Sequence, residues 1–251
     1  MPKNREIYEI MQKIAPFNTQ MDFDNAGFLV GDEKAECRGI LVALDVTDEA
    51  IECAVAENCN LIVTHHPVIF EPLKKVTAES LVFKLIQNGI SVISAHTNLD
   101  MAPGGVNDTL AKRLGLTNVR GVVPLGDVYE ARVGEIDVPL TPDEFAAYLK
   151  EQLPDAAIKY VGGRTPIKTV GVCSGSGGSL LNEMESLCID AFVTADVKHN
   201  VFLESAQLGI SLYDCGHFDT EDVIVEPLKS RLSKETGLKV VAFHSELIRS
   251  L

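Results

Sequence analysis

One succession of helix-like and strand-like segments occurs twice in this chain, and that repeat restricts the fold more than any other feature of the sequence. GILVALD (39–45) corresponds to VGVCSGS (170–176), and NLIVTHHPV (60–68) to DAFVTADVK (190–198), at an offset near 130. NGISVISAHTNLD (88–100) matches LGISLYDCGHFDTE (208–221) after a shorter connecting loop. Between these β-branched runs, DEAIECAVAENC (48–59) and AESLVFKLIQNG (78–89) place apolar residues at helical spacing. SLLNEMESLCI (179–189) and HNVFLESAQLG (199–209) do the same in the second copy. Upstream, a helix at 3–15 and the strand GFLVG (27–31) find counterparts in PDEFAAYLKEQL (142–153) and IKYVGG (158–163). Buried βα units share short strings by chance, but several collinear matches at one offset argue for duplication. The chain should therefore form two similar α/β lobes with right-handed crossovers. They are expected over 1–125 and 126–251, with the boundary in GLTNVRGVVPLGDVYEA (115–131) and the strand KVVAFH (239–244) packing onto either lobe.

Composition narrows the class of function. With 36 acidic and 22 basic side chains the net charge is −14, which leaves no basic surface to track phosphates and argues against nucleic acid or anionic lipid as the main partner. The cysteines at 37, 53, 59, 173, 188 and 215 contain no CxxC pair and read as reduced thiols. No run approaches the roughly 18 apolar residues of a membrane span. The N-terminus has Ile7, Ile10, Met11 and Ile14 at helical spacing instead of a signal-type apolar stretch. A soluble, cytoplasmic protein is expected.

In open α/β sheets ligands bind beyond the carboxyl ends of the strands, and here those ends are rich in metal donors. His65 and His66 follow LIVT, His96 and Asp100 follow SVIS, and His217 and Glu221 follow SLYDC. Consecutive side chains leaving a strand point to opposite sides, so His65 and His66 suit two adjacent ions better than one. The spacings His96 to Asp100 and His217 to Glu221 place both donors on one face of a helical turn. A carboxylate from each half could then reach a shared cluster, where one bridges two metals; Glu221 is the expected bridge. Mixed imidazole and carboxylate ligation suits Zn, Fe, Mn, Co or Ni. The second copy has Ala195 and Asp196 where the first has His65 and His66, so one shared cluster is expected rather than two equivalent sites.

The segments NAGFLVGD (25–32), VTHHPVIF (63–70), SAHTNLDMAPGGVND (94–108), CSGSGGSLL (173–181), DVKH (196–199) and DCGHFDTED (214–222) resemble the NGG-interacting-factor-three-like family of dinuclear metal-binding proteins. Its members are named type 2 GTP cyclohydrolase I homologues. The resemblance covers nearly the whole chain and matches the short form of the family. It implies two α/β lobes facing each other across a two-metal site, commonly in a toroidal homohexamer, with His65, His66, Asp100, His217 and Glu221 as ligands. Phe23 stands where family members often have Trp, and Ala195 where they often have Gly.

Neighbouring residues are the candidates for catalysis. His96 is read first as a group that orients a ligand, then as a base, then as a ligand. Asp196 and His199 are candidates to face the same cleft, against a helix cap and a solvated surface residue as the alternatives. Asp45 either lines the site or caps the next helix. His244 is read as structural and Cys215 as packing. Ser174, Gly175, Ser176, Gly177 and Gly178 lie between a strand and a helix, where backbone amides can cradle an anion; a tight turn with Ser179 as N-cap is the alternative. The expected function is a metal-dependent hydrolase in which a water acidified by two divalent ions attacks a carbon or phosphorus centre of a nucleotide or other phosphorylated small molecule. A non-enzymatic metal-binding assembly or regulatory partner is the alternative.

Overall fold

The computed structural model describes residues 1–163 and 166–244. By contacts the chain divides into two compact units, Met1–Pro103 joined by the chain from Ile224, and Gly104–Val223.

In the first unit, helix α1 (Asn4–Ile14) buries Ile7, Met11 and Ile14 of the apolar stripe read from the sequence and leaves Ile10 half-buried. Strand β1 (Gly27–Val30) and strand β2 (Ile40–Ala43) follow. Helix α2 (Asp48–Ala56) is capped by Thr47, whose hydroxyl accepts from the Ala50 amide. Strand β3 (Leu61–Thr64), helix α3 (Leu81–Gln87), strand β4 (Ser91–Ser94) and the short helix α4 (Thr97–Met101) complete the N-terminal run.

The second unit begins with helix α5 (Val106–Arg113) and the strands β5 (Thr117–Leu125) and β6 (Val128–Leu140). Helix α6 (Pro142–Gln152) has Pro at its start and a capping box between Thr141 and Glu144. Strands β7 (Lys159–Val161) and β8 (Ile167–Val172), helix α7 (Leu181–Ser186), strand β9 (Ala191–Thr194), helix α8 (His199–Leu208), strand β10 (Ser211–Asp214) and helix α9 (His217–Glu221) follow. Helix α10 (Val225–Thr236) and strand β11 (Val240–Phe243) then return to the first unit.

The two sheets have the orders β1-β4-β3-β2-β11 and β5-β6-β8-β9-β10-β7. Four strands of each agree in order and sense: β1 is antiparallel to β4, with β4, β3 and β2 parallel, and β7 is antiparallel to β10, with β10, β9 and β8 parallel. Register agrees once the GILVALD match is moved by one residue: Ile40 pairs with Leu61 and Val170 with Ala191, which makes Val170 the counterpart of Ile40 and Gly175 that of Asp45. This is the arrangement an internal duplication would leave. Beside these four strands the sheets differ, with parallel β11 next to β2 and antiparallel β6 next to β8. Strands β2, β3, β4, β9 and β10 are buried along their whole length, as expected of parallel strands covered on both faces.

The units do not divide at 125/126. Leu125 pairs with Val128 across a two-residue turn, so the expected boundary cuts a hairpin whose second strand lies against β8. Strand β11 settles on the first sheet, against β2. Among the described residues no helix is long and apolar enough to cross a membrane.

Candidate metal centre

In the first unit β3 and β4 end together, with Thr64 opposite Ser94. Thr64 Oγ1 donates to the His66 carbonyl oxygen at 2.9 Å and lies 2.9 Å from Ser94 Oγ, so the serine hydroxyl donates to it. The chain turns off the sheet there, which ends the strict alternation of side chains. Consequently His65 and His66, expected to diverge, have ring centroids only 5.0 Å apart. The ring of His96 lies 5.2 Å from one and 5.5 Å from the other. The ligating atoms of the three histidines fall within 4.8 Å of one another.

Each of these rings is oriented by its Nδ1. His65 Nδ1 is 2.9 Å from the Ala95 carbonyl oxygen, His66 Nδ1 2.8 Å from Asp45 Oδ1, and His96 Nδ1 2.9 Å from Asp24 Oδ1. A carbonyl or ionised carboxylate oxygen can only accept, so Nδ1 carries the proton of the neutral ring and Nε2 keeps its lone pair. Metal-binding histidines are held in this way, the outer acceptor fixing both tautomer and ring angle. His96 therefore has the same support as His65 and His66, and Asp24 is the group that orients it. Asp100, one turn into α4, places Oδ1 3.5 Å from His65 Nε2.

Asp24 serves two partners, accepting also from the Thr97 amide at 3.0 Å and from the Thr97 hydroxyl. Burial alone would raise its pKa, but the hydrogen bonds from His96 and Thr97 outweigh burial and hold it at about 2. Asp45 leaves the capping of α2 to Thr47 and binds His66.

In the second unit His217 lies between two carboxylates, with Nδ1 2.7 Å from Asp196 Oδ2 and Nε2 3.0 Å from Glu221 Oε2. Chiefly the hydrogen bond that His217 donates to Glu221, opposed by burial and assisted by the one donated to Asp196, raises the pKa of His217 to about 9. Glu221 is 3% exposed, and a buried carboxylate requires a positive partner. In the metal-free chain the His217 proton supplies it; a divalent cation could replace that proton.

The SGSGGS loop builds the seat of this carboxylate. At Gly175, where φ is +57°, an added Cβ would fall 2.1 Å from Glu221 Oε1 and 3.2 Å from His217 Nε2. The Gly175 amide donates to Thr220 Oγ1 at 3.1 Å, the Ser174 amide to Asn107 Oδ1 at 2.8 Å, and the Gly177 amide to Thr194 Oγ1 at 2.8 Å. Of the five positions expected to hold an anion, Ser174, Gly175 and Gly177 thus have their amides committed to protein acceptors. Ser176 is exposed and Gly178 half-buried. Ser179 is not the cap of α7, which starts at Leu181 after a 3-10 turn.

Asp196 is neither a helix cap nor a distant surface group, since it holds His217. His199 is the exposed first residue of α8 and lies outside every group of potential ligands found among the described residues. His244 faces Glu226 at 3.7 Å, and Cys215 is buried in the apolar core of its unit.

The repeat clarifies one difference between the copies. His66 ends β3 and is held by Asp45 beyond β2, whereas Asp196 ends β9 and holds His217 beyond β10. The imidazole–carboxylate pair is displaced by one strand, and Gly175 stands where the first copy has Asp45. Sequence reasoning missed Asp24, Asn107 and Thr220. Asp24 adjoins Asn25 before β1, in a segment that gave no periodic signal, and its partner His96 is 72 positions away.

Two or more donors at each of two sets of strand ends, with their outer acceptors in place, fit a divalent metal. The chain is 33% identical over 231 residues to a GTP cyclohydrolase 1 type 2 homolog of Clostridium acetobutylicum, covering 87% of this chain and 85% of that one. It is 36% identical over 234 residues to the Streptomyces coelicolor protein of the same name, covering 88% and 82%. Among solved structures, Staphylococcus aureus protein SA1388 superposes with a TM-score of 0.91 at 28% identity over 100% of this chain and 99% of that one. Reduced HcgD from Methanocaldococcus jannaschii superposes with a TM-score of 0.80 at 27% identity over 96% and 97%. The family model for Duf34/NIF3 (NGG1p interacting factor 3) matches residues 2–248, and the chain belongs to that family.

Proposed function

We propose that the protein is a dinuclear divalent-metal hydrolase acting on a nucleotide or other phosphorylated small molecule. The observation that carries this reading is the shared support of four imidazoles, His65, His66, His96 and His217, each with Nδ1 on an oxygen acceptor. That arrangement is the one in which metal-binding histidines are held. His65, His66 and Asp100 from the first unit and His217 and Glu221 from the second are the proposed ligands of two ions, with Glu221 as the bridge and His96 beside them. Bound divalent ions would supply Lewis acidity toward a phosphoryl, amide or purine centre.

The chain's own residues do the rest. Asp24, Asp45 and Asp196 hold the rings against rotation, Gly175 leaves room for the Glu221 carboxylate, and His96, whose side chain is 18% exposed, can move a proton through Nε2 when it is not a ligand. His199 is proposed only as a proton carrier at the surface. The name of the relatives, GTP cyclohydrolase 1 type 2 homolog, supports a nucleotide substrate. The assembly proposed from the family resemblance is a homohexamer.

Metal analysis of the purified protein, followed by turnover assays with GTP, phosphoesters and small amides, tests this reading. Two ions per chain and turnover abolished by a chelator are expected. Glu221→Gln should lose metal, since it removes the charge that offsets two dications, whereas His199→Ala should keep it. A chain with no bound divalent ion after growth in metal-supplemented medium would sink the proposal, and two tightly held ions without turnover on any substrate class would leave a metal-binding assembly. Light scattering at micromolar concentration tests the hexamer.

A further inference from the structure

Two exposed aromatic side chains stand beside the histidine cluster of the first unit. Phe23 is 64% exposed and Phe70 45% exposed. Their ring centroids lie 6.4 Å apart, and the Phe70 ring meets His96 edge to face at 6.1 Å. Neither phenylalanine belongs to the buried apolar cluster of that unit, so both carry apolar surface into solvent where burial would have been favourable.

The backbone that carries them is anchored. Asp24, next to Phe23, accepts from His96 Nδ1 and from Thr97. Asn25 donates from Nδ2 to the carbonyl oxygen of Ile69, next to Phe70, at 2.6 Å. These adjacent polar residues tie one aromatic-bearing segment both to the histidines and to the other. The backbone beside both rings is thereby held at the rim of the cluster.

We propose that Phe23 and Phe70 form an apolar wall on which the flat nitrogen heterocycle of the substrate stacks, with its edge toward His96. The inference rests on the metal-hydrolase reading and adds to it the part of the substrate that is gripped. A heteroaromatic ring has a π-face that gains from stacking on phenylalanine without directed hydrogen bonds. A bare phosphate chain or an aliphatic amide gains nothing from such a surface. The net charge of −14 disfavours long-range capture of an anion, and the committed amides of the 174–177 loop give a phosphate little to bind. The ring is then the portion of a nucleotide left to supply affinity.

The chain has no tryptophan, so Phe23→Trp introduces a single indole as a reporter. With the full-length, metal-loaded protein, guanosine and GTP should both quench its fluorescence, and inorganic triphosphate should not. Phe70→Ala in that background should weaken guanosine binding roughly 5- to 150-fold, the range of a lost ring stack, with metal content and mass unchanged. Triphosphate acting as strongly as GTP, no response to guanosine, or equal affinity in the Phe70→Ala variant would each overturn the wall. A change of mass by light scattering in Phe70→Ala would overturn it too, since the ring would then cover another copy of the chain. Metal content measured on the same samples separates the two readings: chains without metal sink the metal centre, whereas metal-loaded chains without a ring effect sink only the wall.

Discussion

Gly175 and Glu221 share one small volume, the space left by the glycine's missing Cβ being the space the carboxylate fills. The loop and the buried acid are complementary, and neither can change without moving the other.

Gly175→Ala tests that complementarity. Alanine at a positive φ costs about 1–2 kcal/mol, and the new methyl group must push the carboxylate aside. Metal affinity should fall by about tenfold or more. Gly178→Ala is the control, because its nearest neighbour, Val201 Cγ1, would be 3.8 Å away. Thermal melting and metal titration of both variants give the comparison, and wild-type affinity in Gly175→Ala would refute the coupling.

The Nδ1 acceptors should matter nearly as much as the ligands. Asp45→Ala and Asp196→Ala are each expected to weaken metal binding about 10- to 100-fold, as outer-shell losses do elsewhere. Folding should hardly change, since the side chains are 48% and 57% exposed. Competition with a chelator reads the affinity, and urea unfolding reads the stability.

Acid should act through Asp24. Its folded pKa of about 2 lies below the value near 3.9 of an unfolded aspartate, so its contribution to stability is present above about pH 4 and is lost as pH falls through 2. In the metal-free protein His217 behaves oppositely. Raised to about 9, it stabilises fully below about pH 6.5 and loses that contribution as pH rises through 9. Unfolding measured from pH 2 to 10 should show a smaller acid arm in Asp24→Asn and a smaller alkaline arm in His217→Gln.

Asn107 is fully buried and satisfies both the Glu130 carbonyl and the Ser174 amide, by 2.9 and 2.8 Å hydrogen bonds. Asn107→Ala strands those two groups in the interior, so a loss of about 1–3 kcal/mol is expected, with looser seating of Glu221 as a second consequence. Chemical denaturation checks the first, and metal affinity the second.

Much of the fold was legible because buried parallel strands and their covering helices leave different periods in the sequence. Ile7, Met11 and Ile14 mark α1, and the β-branched, fully buried LIVT and AFVT mark central strands. The hairpin at 117–140 was not legible as one. Pro124 and the Gly126–Asp127 pair suit a linker as well as a hairpin; here the proline sits on the edge strand β5, where its missing amide is tolerated, and Gly126 and Asp127 form the two-residue turn. Of the candidate site, the strand-end histidines were visible because donors after apolar runs form a local pattern. Asp24 was hidden because a hydrogen bond to His96 across 72 positions leaves no local trace. That three amides of SGSGGS face protein acceptors was hidden for a related reason: glycine supplies room, and sequence does not say whether a ligand or a side chain such as Glu221 occupies it.

The return of α10 and β11 to the first unit sets an order of assembly on the ribosome. The second unit is one uninterrupted stretch and has all its strands as soon as Val223 has emerged. The first, although begun earlier, must wait for the last strand of the described chain before the exposed side of β2 is paired. The earlier-made sheet is therefore the later one to close, and premature release of the nascent chain would leave β2 as an open, apolar edge of the kind that recruits foreign strands.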